Sequence, residues 1–257
     1  MSPRMSTDQT VYVQLEGNVA RVVFNRPEVL NATNVQWVDD FHSVLDELEI
    51  MSEVRAVVFS GNGRSFSTGI DLKALSAGEI QIDWFRRWDE GLRRLEKLSA
   101  VTIAKMHGYA LGGGLQLALA CDLRVATPDT RLGLPAVLEA LIPGMGTYRL
   151  PRFIGLGRAR RMVLTGEMVY AEEARAMGLV DWVVPPDKID ETTAWAVATI
   201  LKGSPTALRL SKKLVNSSFE TNYEEALWTY LEFQQHSLSS EEHQQAMQEY
   251  RERKAKP

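Results

Sequence analysis

A cluster of glycines precedes a long apolar run in the middle of the chain. The stretch "GYALGGG" at residues 108–114 contains four glycines, and "LQLALA" follows it directly. Glycine permits positive φ and close backbone approach, and a helix beginning at Gly113 or Gly114 leaves unpaired N–H groups at the positive end of its dipole. Such a site suits an anion, or an oxygen that becomes negative during a reaction. The alternative is that these glycines serve only tight helix packing.

A second glycine-containing loop, "SGNGRSFSTG", follows an earlier apolar strand. Neither loop fits a nucleotide-binding motif. Gly61 and Gly63 match the start of G-x-G-x-x-G, but Phe66 occupies the third glycine position. Leu115 and Gln116 stand where a Walker phosphate loop has Lys followed by Ser or Thr. The loops therefore favour an oxyanion site over a phosphate-binding site.

The other chemistry-bearing side chains are scattered. The chain contains no G-x-S-x-G motif, and its histidines are too dispersed for a metal site. We expect His107 to be a hydrogen-bonded histidine at a strand end, and His236 and His243 to lie on polar helix faces. Cys121 lies in an apolar run, which predicts a buried, inert thiol. Tyr148 could donate a hydrogen bond, although packing is its simpler role.

The overall composition is that of an ordinary globular protein. Of the 257 residues, 45% are hydrophobic and 24% are charged, and the formal net charge is −4. The negative charge disfavours a nucleic-acid groove or an anionic membrane surface as a partner. No apolar stretch reaches the ~18 residues of a membrane span. We expect a cytoplasmic protein with no metal.

Strand-like and helical segments alternate along the first 184 residues. The patterns predict a hairpin over 11–15 and 19–24, strands over 56–59, 101–106, 123–126 and 182–184, and helices over 34–49, 82–98, 158–164 and 171–177. Gly178 is placed to end the last of these helices. From residue 187 onward the chain is predicted to be almost entirely helical. The fold class is therefore α/β, with a helical tail.

Five stretches, in their order and spacing, give the chain a family resemblance. They are "NRPEVLNA" from Asn25, "GRSFSTGIDLKAL" from Gly63, "HGYALGGGLQLALACDLRVA" from His107, "FIGLGRARRMVLTGEMVYAEEARAMGLVDWVV" from Phe153, and "SSEEHQQAMQEYRERK" near the end. With them the sequence resembles the crotonase superfamily, the enoyl-CoA hydratase/isomerase family. The resemblance implies a spiral of ββα repeats over residues 1–204. It also implies a helical region, 205–257, that packs on this core or on a neighbouring subunit of a homotrimer or dimer of trimers.

The resemblance also implies an acyl-CoA thioester as substrate, with no cofactor beyond the CoA that the substrate carries. By the motifs, the backbone N–H groups of Ile70 and Gly113 would hold the thioester oxygen. Ile70 departs from the small Ala or Gly usual at this position. A β-branched side chain there would crowd the acyl group near its reacting carbon, which indicates an unusual, slim or differently angled acyl chain.

A larger set of residues is implied to line the substrate and its CoA portion. This set comprises Arg26, Val29, Leu30, Ser67, Thr68, Gly69, Asp71, Leu72, Tyr109, Gly112, Pro135 and Phe233. Asp71 is also placed to act as a helix N-cap, which is compatible with lining the site. Phe233 would close over the pantetheine arm or serve ordinary helix packing. The terminal Arg251, Arg253 and Lys254 would meet CoA phosphates or form a solvated charged face.

Both glutamates of the family's hydratases are replaced. The first position, two residues after the triple glycine, is Gln116, and the second, in "GLPA", is Ala136. An amide cannot exchange a proton near neutral pH, and a methyl group cannot do so at all. Glu139, three residues past Ala136, is the nearest substitute base, provided that its apolar neighbours bury it and raise its pKa. The alternative is that Glu139 faces solvent or pairs with an arginine, Arg131 or Arg149.

Two functions follow from this pattern. In the first, the chain is an enzyme that stabilises a thioester enolate and moves a proton with a non-standard acid–base set. Isomerisation, hydration of an atypical enoyl-CoA, or decarboxylation would fit. In the second, it is a catalytically silent acyl-CoA-binding homologue that keeps the oxyanion site without the chemistry. We expect the enzyme.

Overall fold

The computed structural model describes residues 9–255. The first eight residues of the predicted region 1–204 and the last two residues of the predicted region 205–257 therefore lie outside the described residues. The chain divides into two compact units, Met1–Val197 and Ala198–Pro257. Residue 205, where the sequence predicts the tail to begin, is the first residue of a helix. As a domain boundary it stays a prediction.

Nine strands and ten helices make up the described chain. The strands are β1 (Val11–Glu16), β2 (Val19–Phe24), β3 (Ala56–Gly61), β4 (Val101–Met106), β5 (Tyr109–Leu111), β6 (Leu123–Ala126), β7 (Arg131–Gly133), β8 (Met168–Tyr170) and β9 (Trp182–Val183). The helices are α1 (Val35–Ile50), α2 (Leu72–Ser76), α3 (Ile82–Lys97), α4 (Gly113–Ala120), α5 (Gly146–Thr165), α6 (Ala171–Met177), α7 (Ile189–Leu201), α8 (Pro205–Ser217), α9 (Tyr223–Leu238) and α10 (Glu241–Ala255). None of the helices in this described part is long and apolar enough to cross a membrane.

A six-stranded sheet in the order β1-β2-β3-β4-β6-β9 forms the first layer of the larger unit. The hairpin β1–β2 is antiparallel, and every later pairing in this sheet is parallel. Parallel neighbours end at the same edge of a sheet. The two glycine-containing loops follow β3 and β4, so the sheet brings them to one edge.

A smaller sheet in the order β5-β7-β8 extends the second of these loops. Strand β5 pairs in parallel with β7, and β7 pairs antiparallel with β8. All three are three residues long, which is too short for the alternation that predicts strands from sequence.

Aromatic side chains between the large sheet and α1 and α3 form the centre of the core. The Trp37 ring lies 5.2 Å from that of Phe24 and 5.5 Å from that of Trp88, measured between centroids. Helix α1 forms because its apolar residues share one face and because the Asn34 side chain accepts the Trp37 N–H at 2.9 Å. Packing α3 against α1 fixes the side of α3 that faces the glycine loops.

Most of the long elements match their predictions. The hairpin, α1, α3, β4 and β6 are confirmed within one or two residues, and Gly178 ends α6 with a φ of 88°. The predicted helix over 158–164 is the second half of α5, which begins at Gly146 and is kinked at Gly155. The pattern missed the first half because Pro151 and two glycines interrupt it.

A buried asparagine ties the segment after β2 to the first glycine loop. Asn31 is fully buried, and its Nδ2 donates to the carbonyl oxygens of Asn62 at 2.9 Å and Ser65 at 2.8 Å. Its Oδ1 accepts the Arg26 N–H at 2.9 Å. Its φ of 56° is a left-handed conformation that asparagine tolerates better than most residues. Asn31 thus holds the loop from which residues 67–70 continue.

We therefore expect Asn31→Ala to lower the free energy of unfolding by about 2–4 kcal/mol, because it leaves three backbone groups, one of them buried, without these partners. Urea denaturation measures the change. Asn18→Ala is the matched control, since the exposed Asn18 side chain makes a single hydrogen bond, to the Glu53 carbonyl at 2.8 Å. The Asn18→Ala change should lower the free energy of unfolding by less than about 1 kcal/mol. Equal losses in the two variants would contradict this account of Asn31.

Candidate active site

The backbone N–H of Ile70 is unpaired because the hydrogen bonds of residues 69 and 71 to Thr33 turn it to the opposite side of the chain. Thr33 donates its N–H to the Gly69 carbonyl at 2.7 Å, and Asp71 donates its N–H to the Thr33 carbonyl at 2.9 Å. Successive N–H groups of an extended segment point to opposite sides, so that of Ile70 faces away from Thr33. Among the described residues it has no hydrogen-bond partner.

A second unpaired N–H belongs to Gly113, at the start of α4. The preceding Gly112 donates its own N–H to the Gly133 carbonyl at 2.9 Å and adopts a φ of 51°. This conformation turns the chain from β5 directly into the helix, so Gly113 is the first helical residue. Its N–H has no partner within the described part of the chain, as expected for a first-turn donor.

The two segments that carry these donors are in close contact. Leu111 donates its N–H to the Ser67 carbonyl at 3.0 Å. A Cβ on Gly69, whose φ is 84°, would lie only 2.6 Å from the Gly113 nitrogen, and a Cβ on Gly114 would collide with the Ser67 carbonyl oxygen. The glycines are therefore required by the approach of one backbone to the other.

Both donors border one cavity of about 430 Å³, measured with its open mouth. Its lining is mostly apolar and aromatic: Ile70, Trp84, Phe85, Trp88, Asp89, Gly112, Gly113, Gln116, Ala136, Leu141, Ile142, Pro143 and Gly144. A concave, mostly apolar lining with a few polar groups is typical of small-molecule sites. The arrangement can hold an oxygen between two N–H groups while an apolar group fills the cavity.

The structure brings Gln116 and Ala136 to this cavity, from α4 and from the 3-10 helix Pro135–Glu139 respectively. Gln116 is more than nine-tenths buried. Its Oε1 is buried and accepts no hydrogen bond from the described residues. The amide therefore presents an unsatisfied polar atom within a mostly apolar site.

Glu139 does not line the cavity. It is exposed at the end of the 3-10 helix, and its apolar neighbours Val137 and Leu138 are themselves 37% and 69% exposed. The structure thus supports the alternative of a solvent-facing Glu139 and does not give it the burial that a substitute base needs. A run of apolar neighbours did not produce burial because this short helix lies on the protein surface with no buried residue.

The carboxylate on the cavity is that of Asp89, which the sequence analysis missed. Its Oδ1 accepts a hydrogen bond from Nη1 of the buried Arg149 at 3.2 Å. The Arg149 Nε donates to Glu96 Oε1 at 2.6 Å. A Cβ on Gly144 would lie 3.0 Å from Gln116 Oε1 and 3.2 Å from Asp89 Oδ2, so these two oxygens flank the same glycine.

The surroundings of Asp89 favour its protonated form. Burial raises the pKa of the Asp89 carboxyl, and this effect outweighs the lowering by the Arg149 charge, its hydrogen bond and the Met145 backbone N–H. The charge of Glu96 adds a smaller increase. Asp89 is therefore a group poised to hold a proton at a higher pH than an ordinary aspartate.

A signal for Asp89 exists in the sequence. Phe85, Asp89, Leu92 and Glu96 follow one another at intervals of four, three and four residues, so they share one stripe of α3. Phe85 and Leu92 pack in the core. An acidic residue within such a stripe has to be paired or functional, because an isolated buried charge is costly.

Arg26 and Asp71 are bonded to each other. Nη1 of Arg26 donates to Asp71 Oδ2 at 3.0 Å and to the Ala32 carbonyl at 2.5 Å. Asp71 Oδ1 accepts the backbone N–H groups of Lys73 and Ala74, which confirms its reading as an N-cap, here of α2. Burial opposes ionisation of Asp71, but the Ala74 and Arg26 hydrogen bonds bring its pKa below the ordinary value. A role for either residue in ligand binding stays a prediction.

The other predicted lining residues of the first unit fall into two groups. Ser67, Gly69 and Gly112 belong to the two packed backbone segments, and the Ser67 hydroxyl donates to the Asn31 carbonyl at 2.8 Å. The second group is at least partly accessible to solvent and comprises Val29, Leu30, Thr68, Leu72, Tyr109 and Pro135. Their contact with a ligand stays a prediction.

Residues predicted in the second unit lie on its helices. Phe233 is half-buried on α9, and Arg251, Arg253 and Lys254 are exposed on α10. Their proposed contacts with CoA stay predictions.

The remaining chemistry-bearing residues take the simpler roles described for them. His107 Nε2 lies 3.0 Å from the Gly63 carbonyl oxygen, and Cys121 is buried. His236 is exposed near the end of α9, and His243 is half-buried in α10. Tyr148 is partly exposed, with the Arg152 guanidinium over its ring at 3.3 Å.

The family model described as enoyl-CoA hydratase/isomerase matches residues 14–257 of this chain. The short-chain-enoyl-CoA hydratase of Clostridium acetobutylicum is 35% identical over 243 residues, covering 92% of each protein. The enoyl-CoA hydratase structure from Bacillus anthracis has a TM-score of 0.90 at 28% identity and covers 95% of this chain and 97% of its own. A structure from Thermobifida fusca, described as a candidate enoyl-CoA hydratase in complex with CoA, has a TM-score of 0.82 at 27% identity. The match covers 90% of this chain and 93% of that structure's chain.

These similarities confirm the α/β fold class predicted as a crotonase-like spiral with a C-terminal helical region. They extend over both glycine loops and the elements that hold them. The fold that carries the two unpaired donors is thus shared with solved relatives.

We expect Gly69→Ala to destabilise the fold by more than about 2 kcal/mol, since it combines a strained positive φ with a steric clash against Gly113. Thermal and urea unfolding measure the loss. Gly157→Ala is the control, because Gly157 is an exposed position of α5 and a Cβ there would meet nothing within 4 Å. It should be neutral or stabilising by up to about 1 kcal/mol. A Gly69→Ala protein as stable as the Gly157→Ala protein would show that the two segments need not approach so closely.

Proposed function

The chain belongs to the enoyl-CoA hydratase/isomerase family, and on that premise we propose that it stabilises the enolates of acyl-CoA thioesters with the backbone N–H groups of Ile70 and Gly113. The observation that carries the proposal is that both N–H groups lack partners among the described residues and border one cavity. In this arrangement the thioester oxygen accepts both hydrogen bonds, and the acyl group enters the cavity.

Two fixed backbone donors suit this chemistry. Negative charge develops on the thioester oxygen as the enolate forms, so donors aimed at that oxygen stabilise the transition state more than the ground state. Backbone groups need no side-chain reorganisation during the reaction. Losing one such donor typically costs ~3 kcal/mol of transition-state stabilisation.

The proton-transfer groups differ from those of the family's hydratases. Gln116 can hydrogen-bond a water or a carbonyl but cannot exchange a proton near neutral pH, and Ala136 can do neither. Hydration by two glutamates is therefore not the proposed reaction. Isomerisation by a single base, hydration of an atypical enoyl-CoA, or decarboxylation remains compatible with the site. Decarboxylation forms an enolate without removal of a proton from carbon.

The second candidate function is a catalytically silent acyl-CoA-binding protein. The observation that favours it is the replacement of both glutamate positions on the cavity, with Gln116 still able to hydrogen-bond a ligand. The two functions differ in one measurable respect. A binder holds acyl-CoA without exchange of α-hydrogens, hydration or release of carbon dioxide.

The shape of the cavity supports a restricted acyl group. Ile70 is partly buried against the core and lines the cavity beside the aromatic residues Trp84, Phe85 and Trp88. Three rings and a β-branched side chain leave little room next to the reacting carbon. We propose a slim or flat acyl chain, with its CoA portion along Arg26, Thr68 and Leu72.

Assembly with further copies of the chain is part of the proposal. In the second unit, three large aromatic residues are mostly exposed: Phe219 at 68%, Tyr223 at 76% and Trp228 at 73%. Exposed apolar patches of this kind mark association surfaces. They support the predicted homotrimer or dimer of trimers. The expectations of no cofactor, no nucleic acid, no membrane partner and a cytoplasmic location stay predictions.

We expect light scattering after size exclusion to give a mass of three or six chains. Trp228→Glu should shift this mass towards the monomer, because it places a charge in an apolar contact. The control is Glu224→Gln, a change on the same helix at an exposed polar residue. A monomeric wild-type protein at micromolar concentration would contradict the assembly.

The oxyanion proposal is tested by Gly113→Pro. Proline is tolerated at the first residue of a helix, where it removes the N–H and leaves the helix intact. We expect α-hydrogen exchange or turnover of an acyl-CoA to fall about 100- to 1,000-fold.

Gly113→Ala is the matched control, since it adds the same Cβ, 3.1 Å from the Trp88 ring, but keeps the N–H. It should retain most of the activity that Gly113→Pro loses. Equal activities in the alanine and proline variants would remove the Gly113 donor from the mechanism.

A further inference from the structure

We propose that Asp89 is the acid–base group of this site and moves the proton at the acyl carbons while Ile70 and Gly113 hold the thioester oxygen. This inference rests on the proposed function. Asp89 is the carboxylate on the cavity lining among the described residues, and it shares that lining with both donors and with the two glutamate positions. The acidic group thus enters from α3 rather than from α4 or the 3-10 helix.

The side-chain contacts of Asp89 leave Oδ2 without a side-chain donor among the described residues. Arg149 Nη1 donates to Oδ1, the Met145 backbone N–H also bonds the carboxyl group, and Oδ2 lies beside Gly144. Arg149 is buried and is itself fixed by Glu96 through a 2.6 Å hydrogen bond. Arg149 is therefore a positioning residue that fixes the orientation of the carboxyl group.

Gly144 is the second feature that keeps Oδ2 accessible. Its φ is 47°, and any Cβ there would lie within 3.2 Å of both Asp89 Oδ2 and Gln116 Oε1. A side chain at this position would cover the two oxygens. The glycine thus leaves the carboxyl group and the amide on the same part of the cavity wall.

The proposed step is balanced within the site. The Asp89 carboxylate takes a proton from the α-carbon, and the C–H electron pair forms the enolate double bond as the charge moves to the thioester oxygen. The protonated Asp89 then returns the proton to the α-carbon. With a β,γ-unsaturated acyl group it returns the proton to the γ-carbon, so the double bond shifts and no atom is gained or lost.

Charge near Asp89 comes from two elements. Arg149 on α5 favours the ionised form, and Glu96 on α3 itself opposes it. Because burial dominates, the pKa of Asp89 lies above the ordinary value of 3.8. A base with a raised pKa needs a higher pH to be ionised, so exchange should fall as the pH is lowered through that raised pKa.

The test follows deuterium incorporation from heavy water into butanoyl-CoA and into a β,γ-unsaturated hexenoyl-CoA by mass spectrometry. Asp89→Asn should lower the exchange rate at least 100-fold, while the Kd for butanoyl-CoA changes less than 3-fold. Asp89→Glu should restore part of the exchange. Glu90→Gln is the matched control, because Glu90 is the exposed next residue of α3, paired with Arg86, and should keep the wild-type rate.

Glu139→Gln tests the rival assignment and should also keep the wild-type rate. Loss of exchange in Glu139→Gln with retention in Asp89→Asn overturns the proposal. If Asp89→Asn fails to fold, the pH dependence of the exchange rate of the wild-type protein provides the test instead. A decline centred above pH 3.8 supports Asp89, and a flat profile down to that pH opposes it.

The experiment separates the two levels of inference. Binding of butanoyl-CoA with exchange that does not depend on Asp89 overturns this assignment and leaves the oxyanion site intact. Binding without exchange of either probe by the wild-type protein also overturns it and identifies the silent binder. Failure of the wild-type protein to bind either acyl-CoA removes the proposed function itself.

Discussion

The close approach of two backbone segments determines the rest of this site. Residues 67–70 and 111–114 touch through the Leu111–Ser67 hydrogen bond and through glycines that have no room for a Cβ. Each segment uses other hydrogen bonds to stay in place, and these leave the N–H groups of Ile70 and Gly113 unpaired among the described residues. Parallel pairing of β3 and β4 brings both segments to one sheet edge, and the Asn31 side chain holds the first loop there.

Backbone donors separate the binding of the thioester oxygen from the transfer of protons. In the proposed site, the N–H groups of Ile70 and Gly113 would hold the oxygen whatever side chains surround the acyl carbons, so the proton carrier need not come from α4. The replacements at Gln116 and Ala136 are then compatible with retained chemistry, provided that another carboxyl reaches the same cavity. Helix α3 meets this condition because its packing against α1 turns the Asp89 side of the helix towards the cavity.

Local patterns predicted the long elements and the two glycine loops, because periodicity and glycine placement act over a few residues. The hairpin, α1 and the cap at Gly178 follow from such patterns. The three-residue strands β5, β7 and β8 could not be predicted this way, since their stability comes from pairing with distant strands. The Asp89–Arg149 contact joins residues 60 positions apart, so only the packing of α3 near α5 reveals it. The apolar neighbours of Glu139 could not decide whether it is buried, because those neighbours themselves lie on the surface.

Two polar groups beside Gly144, the Gln116 amide and the Asp89 carboxyl, relate the packing of the site to the proposed proton transfer. Gln116 Oε1 is a buried acceptor without a donor among the described residues, and such an atom typically costs ~1–3 kcal/mol. Asp89 Oδ2 lies beside the same glycine, and burial raises the pKa of this carboxyl. An ionised Asp89 would add a further acceptor to this part of the cavity, whereas a protonated one carries an O–H donor. Proton uptake lowers the cost of burying Asp89, and a proton carrier needs such a stabilised protonated state within reach of the substrate.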